Sequence, residues 1–128
     1  MKTLVFYRCK HCGNVVVKLV DKGVPVFCCG EQMEVLNANT TDAALEKHVP
    51  VLESNGNQIK VTVGSTLHPM LEEHYIQFIV VKTNLGYVVK HLNPNEQPVA
   101  EFALLENEKV EEIYEYCNLH GLWMLKTN

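Results

Sequence analysis

The chain has 128 residues, a formal net charge of −4 and 47% hydrophobic residues. That length fits one medium domain, or a small one joined to a larger one. Mild acidity without a basic run excludes a nucleic-acid footprint, and no apolar segment reaches the roughly 20 residues that cross a bilayer. The opening stretch, Met1 to Cys12, lacks the long apolar core of a secretory leader. A cytoplasmic location is expected, with no membrane and no nucleic-acid partner.

In chain order, residues 4–8 and 14–20 read as short strands flanking a turn at Cys9–Gly13. Asp21-Lys22-Gly23 forms a turn, and Cys28-Cys29-Gly30 a second tight knuckle. A piece of about forty residues cannot bury enough apolar surface to hold itself together and usually needs a metal or disulfides. Four cysteines, Cys9, Cys12, Cys28 and Cys29, answer that need. The whole chain has five cysteines, an odd number, and in a reducing compartment clustered thiols are more often ligands than disulfides. Cys9-x2-Cys12 sets two sulfurs on one ion, and the second pair completes a tetrahedron. Because neighbouring side chains normally point apart, the adjacent pair Cys28-Cys29 predicts a distorted tetrahedron. Zinc and iron both accept four thiolates. His11, inside the first pair, has no free place at a closed site and is expected at the surface.

Residues 37–47 are polar and read as a linker, with one helical turn around Asp42–Leu45. From Val49 onward the pattern is β. Val49–Glu53 and Gln58–Val63 surround Asn55-Gly56, a strong hairpin signal. His74–Lys82, Tyr87–Leu92, Val99–Leu105, Glu111–Cys117 and Leu122–Lys126 bring the count to seven short strands. Seven such strands separated by turns predict a β-sandwich.

A second set of ligand-type residues is spread through this β region: His48, His68, His74, Cys117 and His120. Cys117-x2-His120 lies in a tight Cys-Asn-Leu-His-Gly loop between strands, so both side chains can face one point. His68 precedes Pro69, His74 opens an apolar strand, and His48 precedes Val49-Pro50. All are at strand ends or in loops, where a sandwich gathers functional groups. Any one of these histidines taken alone is more simply a solvated or hydrogen-bonded ring, and His91, mid-strand, is left so. Five ligands on iron leave one position open, whereas the four-cysteine set is closed. A copper alternative uses Cys117, His120, Met124 and one upstream histidine. It leaves two histidines idle, and Met124 is more simply a core residue of Leu122–Leu125.

The stretches Cys9-Lys-His-Cys-Gly-Asn14, Cys28-Cys29-Gly30, Glu46-Lys-His-Val-Pro50, His68-Pro69-Met70, Glu73-His74-Tyr75-Ile76 and Cys117-Asn-Leu-His-Gly-Leu-Trp123 together resemble desulfoferrodoxin, the two-iron class of superoxide reductase. The resemblance runs in order over essentially the whole chain. It implies an all-β protein: a desulforedoxin- or rubredoxin-like domain at residues 1–37, then an immunoglobulin-like sandwich at residues 38–128. It implies two irons per chain and neither haem nor flavin. One iron would be held by Cys9, Cys12, Cys28 and Cys29. The other would have His48, His68, His74 and His120 in its plane and Cys117 axial, with Glu46 and Lys47 as the catalytic residues beside the open position. The implied activity is one-electron reduction of superoxide to hydrogen peroxide, with rubredoxin or a similar donor supplying electrons to a homodimer. The competing readings are a two-centre electron carrier without turnover and a zinc-stabilised interaction module.

Overall fold

The computed structural model describes residues 3–40 and 45–127, apart from the side chain of Glu46. The chain divides into two compact units, with the break between Asn37 and Ala38.

In the first unit, strand β1 (Phe6–Arg8) is flanked by β2 (Val15–Val17) and β5 (Glu34–Val35) in a three-stranded antiparallel sheet. A separate two-stranded ribbon, β3 (Phe27–Cys28) with β4 (Glu31–Gln32), carries Cys29-Gly30 at its tip. The interior is minimal: Phe6, Cys9 and Met33 are buried, while Leu19, Val20, Val24 and Phe27 remain largely exposed. So little buried apolar surface cannot offset the chain entropy of ordering these residues. The second Cys pair lies where the ribbon turns, and the first lies where β1 gives way to the turn before β2. The three two-residue strands β3, β4 and β5 were not anticipated. Their sequences alternate too briefly to show a period, and the turns around the cysteines set them.

The second unit starts with a four-residue helix α1 (Leu45–His48). The expected helical turn overlaps it only at Leu45, and residues 42–44 lie outside the described residues. Seven strands follow: β6 (Pro50–Asn55), β7 (Gln58–Val63), β8 (Ile76–Thr83), β9 (Tyr87–His91), β10 (Val99–Ala103), β11 (Val110–Cys117) and β12 (Gly121–Lys126). They form two antiparallel sheets, ordered β10-β7-β6 and β12-β11-β8-β9. This is the expected all-β sandwich. Gly56, with φ of +64°, sits in the two-residue β6–β7 turn, a conformation glycine adopts at little cost.

Alternation fills the space between the sheets. Ile59, Val61 and Val63 of β7, Ile79 and Val81 of β8, Ala100 and Phe102 of β10, and Ile113 of β11 form one buried cluster, and Cys117 ends it. Side chains on a strand point to opposite faces in turn. On β12, Leu125 joins this core and Trp123 is fully buried. Met124 therefore points the other way; it is half-buried opposite Tyr114 and is not part of the core cluster.

Candidate metal centres

In the first unit the sulfurs of Cys9, Cys12, Cys28 and Cys29 all lie within 4.8 Å of one another. The Cys12–Cys28 separation is 3.6 Å and the Cys28–Cys29 separation 4.0 Å. A tetrahedron with metal–sulfur bonds of about 2.3 Å needs edges of about 3.8 Å. The vicinal pair reaches one point because Cys29 has φ of +54°, a left-handed conformation that turns its side chain back towards its neighbour. The predicted distortion is thus taken up by the backbone. The thiols are not equivalent. The backbone N–H of Cys12 brings Cys9 down to about 6, and hydrogen bonds shared with Cys9 and Cys12 push Cys29 up to about 12. His11 is at the surface, 2.9 Å from Glu31, which Lys10 also pairs.

The second group gathers His48, His68, His74, Cys117 and His120, again with one donor atom each within 4.8 Å of all the others. These five come from four places in the fold. His48 ends α1. His68 and His74 lie in the segment between β7 and β8, where paired backbone bonds between Leu71 and His74 (2.9 and 3.0 Å) fold the chain into a tight loop. Cys117 ends β11, just past a register irregularity against β8. Such bulges re-aim side chains at strand ends. His120 precedes Gly121, whose φ of +80° starts the return strand.

The four imidazoles form a closed square. Ring centroids are 4.6 Å apart for His48–His68, 4.7 Å for His68–His74, 5.0 Å for His74–His120 and 4.9 Å for His48–His120. Each ring stands between 75° and 85° to its neighbours. Nε2 of His48 is 3.1 Å from Nε2 of His68 and 3.0 Å from Nδ1 of His120. Among the described residues, Nε2 of His74 is buried without a hydrogen-bond partner. Buried polar atoms are nearly always bonded, and an orphan asks for an ion. Nitrogens aimed at a common centre, one of them orphaned, beside a thiol, form a donor set that fits iron.

Protonation fits as well. Burial lowers His68 to about 4 and also lowers His74. Neutral rings are the ligating form, so no proton has to be displaced from these two at neutral pH. Burial raises the Cys117 thiol, while the N–H groups of Leu119 and His120 work against that rise. An ion would therefore have to displace the Cys117 proton.

Several supporting residues were not anticipated. Nδ1 of His68 is 2.6 Å from the Pro69 carbonyl oxygen, which fixes the tautomer that leaves Nε2 free. Asn118 accepts from the Tyr75 N–H at 2.9 Å and donates to the Glu73 carbonyl at 3.0 Å. It thereby ties the Cys117–His120 loop to the segment carrying His74. Glu115 is fully buried, both its oxygens lack a partner among the described residues, and burial raises it well above the usual carboxylate range. Pro69 and Asn118 lie inside the stretches quoted above, but only the fold shows what they bond; Glu115 carries no motif. Lys47 is exposed, and its charge is near enough to lower His74. The side chain of Glu46 lies outside the described residues. His91, exposed at the end of β9, is not part of either group. Met124, on the strand face opposite Trp123, gives the copper alternative no axial ligand.

A sequence model of the desulfoferrodoxin family matches residues 40–126. Desulfoferrodoxin of Syntrophotalea carbinolica is 47% identical over 120 residues, covering 94% of each chain. Among solved structures, superoxide reductase from Treponema pallidum superposes with a TM-score of 0.83 at 39% identity, covering 98% of this chain and all of that one. Superoxide reductase (1Fe-SOR) from Giardia intestinalis gives a TM-score of 0.55 at 35% identity, over 65% of this chain and 98% of that one. The two donor groups are those of two iron sites, and the chain belongs to the desulfoferrodoxin family.

Proposed function

We propose that this chain is a superoxide reductase. The carrying observation is the square of four imidazoles at near-right angles, with a thiol brought to the same point. Five protein ligands on iron would leave one position open for a small anion. Iron held there supplies the one-electron couple, and the balance is superoxide plus one electron plus two protons giving hydrogen peroxide.

The chain's own residues do the rest. His48, His68, His74 and His120 hold the ion as neutral donors and add no charge. The Cys117 thiolate would add electron density to the bound ion. Lys47 offers a positive charge that attracts the anion against a net charge of −4. Glu46, next in sequence to Lys47, would serve as a ligand once the iron is ferric. Solvent supplies the protons. Cys9, Cys12, Cys28 and Cys29 would hold a second iron, which would supply a one-electron couple for rubredoxin or a similar small donor. The protein works as a homodimer in the cytoplasm.

The test mixes the reduced, iron-loaded protein anaerobically with a pulse of superoxide. Two irons per chain, stoichiometric peroxide and no dioxygen release are expected. Failure of superoxide to oxidise the five-ligand site would leave an electron carrier instead.

A further inference from the structure

Trp123 is the sole tryptophan of the chain and is fully buried. Its indole stacks on the His48 imidazole, with centroids 4.8 Å apart and planes 25° from parallel. Its Nε1–H donates to the His120 carbonyl oxygen at 3.1 Å. One side chain therefore touches two adjacent corners of the imidazole square, ligands 72 positions apart.

The indole acts differently at the two corners. His48 ends a helix of only four residues, so little regular backbone fixes its ring. The stacked indole occupies one face of that ring and blocks rotation about its bond to Cβ. Rotation would break the near-perpendicular relation to both His68 and His120, at 75° and 84°. At the other corner, the indole N–H anchors the backbone of the turn that aims Nδ1 of His120 inward. The Pro69 carbonyl orients His68 through a ring nitrogen, and the stacked indole acts on the ring face of His48.

We propose that Trp123 is a positioning residue of the five-ligand centre, setting the ring plane of His48 and the turn of His120. The proposal rests on the metal-site reading of these ligands and not on the superoxide chemistry.

The experiment compares native protein with Trp123→Phe and Trp123→Leu. Phenylalanine keeps an aromatic face and loses the N–H; leucine loses both. Anaerobic iron-loaded samples are challenged with a ferrous chelator, and the absorption band of the oxidised five-ligand site is recorded. Outer supports of this kind typically change metal affinity 10–100-fold. Expected are release from that site accelerated about 10-fold or more in Trp123→Leu, a smaller acceleration in Trp123→Phe, and a displaced band in both. A role in packing alone would lower the melting temperature while band position and release rate stay native, which would overturn the proposal. If Trp123→Leu fails to fold, Trp123→Phe decides by the same two readouts. Native protein that holds iron at the site yet does not reduce superoxide would sink the proposed function and leave Trp123's role standing. Native protein that binds no metal there would sink both.

Discussion

Replacing Asn118 with alanine removes two bonds that join the Cys117–His120 loop to the segment bearing His74. The Tyr75 N–H, partly buried, loses its acceptor at 2.9 Å. An amide left without a partner there costs about 1–3 kcal/mol, so about 1.5 is reasonable for a partly buried one. The Glu73 carbonyl lies in an exposed setting, where water replaces the lost donor and the cost is about 0.5 kcal/mol. The sum is about 2 kcal/mol, since the remaining backbone bond from Asn118 N–H to the Tyr75 carbonyl, at 3.3 Å, does not use the side chain. Asn118→Asp keeps the acceptor and loses only the donor, so it should cost about a quarter as much. Urea unfolding of iron-loaded protein measures both, and chelator-driven iron release should accelerate in the same order. An alanine variant within about 0.5 kcal/mol of native, or an aspartate variant as damaging as alanine, would refute the clamp.

Three further outcomes are expected. In metal-free protein, His68 binds its proton at about 4 in the fold against an ordinary 6.5, so the unfolded chain is the better proton acceptor between those values. The stabilising contribution is complete above 6.5 and is lost as pH falls towards 4, at no more than about 1.4 kcal/mol per pH unit. Urea midpoints across that window should fall less steeply in His68→Asn, and parallel curves would exclude His68 as the source. Lys47→Ile should slow superoxide reduction several-fold at low ionic strength and little at high salt, as screening removes steering; pulse radiolysis showing an unchanged salt dependence would remove the role. Cys12→Ser should abolish the four-thiolate iron spectrum and raise proteolytic nicking within residues 3–37 while leaving the five-ligand band intact. Donor-driven turnover that survives in this variant would show that the first iron is no obligatory relay.

Much of this was legible because metal ligands are chemically scarce. Cysteines and histidines at Cys9, Cys12, Cys28, Cys29, His48, His68, His74, Cys117 and His120 stand out in any sequence, and the structure gathers each of them. The sandwich strands were legible because β7, β8 and β11 are long enough for alternation or an apolar run to show. Strands of two residues carry no such signal, so β3, β4 and β5 were missed. Met124 was read as core from its apolar neighbours, but strand parity puts it on the opposite face from Trp123 and Leu125. Trp123 and Asn118 reach ligands or their segments far away in sequence, and only the folded register reveals whom they touch. The +54° φ of Cys29 resolves what the adjacency of Cys28 and Cys29 had posed as a geometric conflict.

The dispersal of the five ligands has a consequence for the unfolded chain. An ion held at positions 48, 68, 74, 117 and 120 closes nested loops spanning 72 residues, as a covalent cross-link would. Chain-entropy reasoning for a cross-link of that span gives about 4 kcal/mol of restriction on the denatured ensemble. The cofactor is thus a removable staple. An ion that stays on the chain during unfolding leaves a looped, compact denatured state, whereas one that leaves first frees both ends of the sandwich together. The order of those two events governs whether a damaged molecule can refold around its own iron.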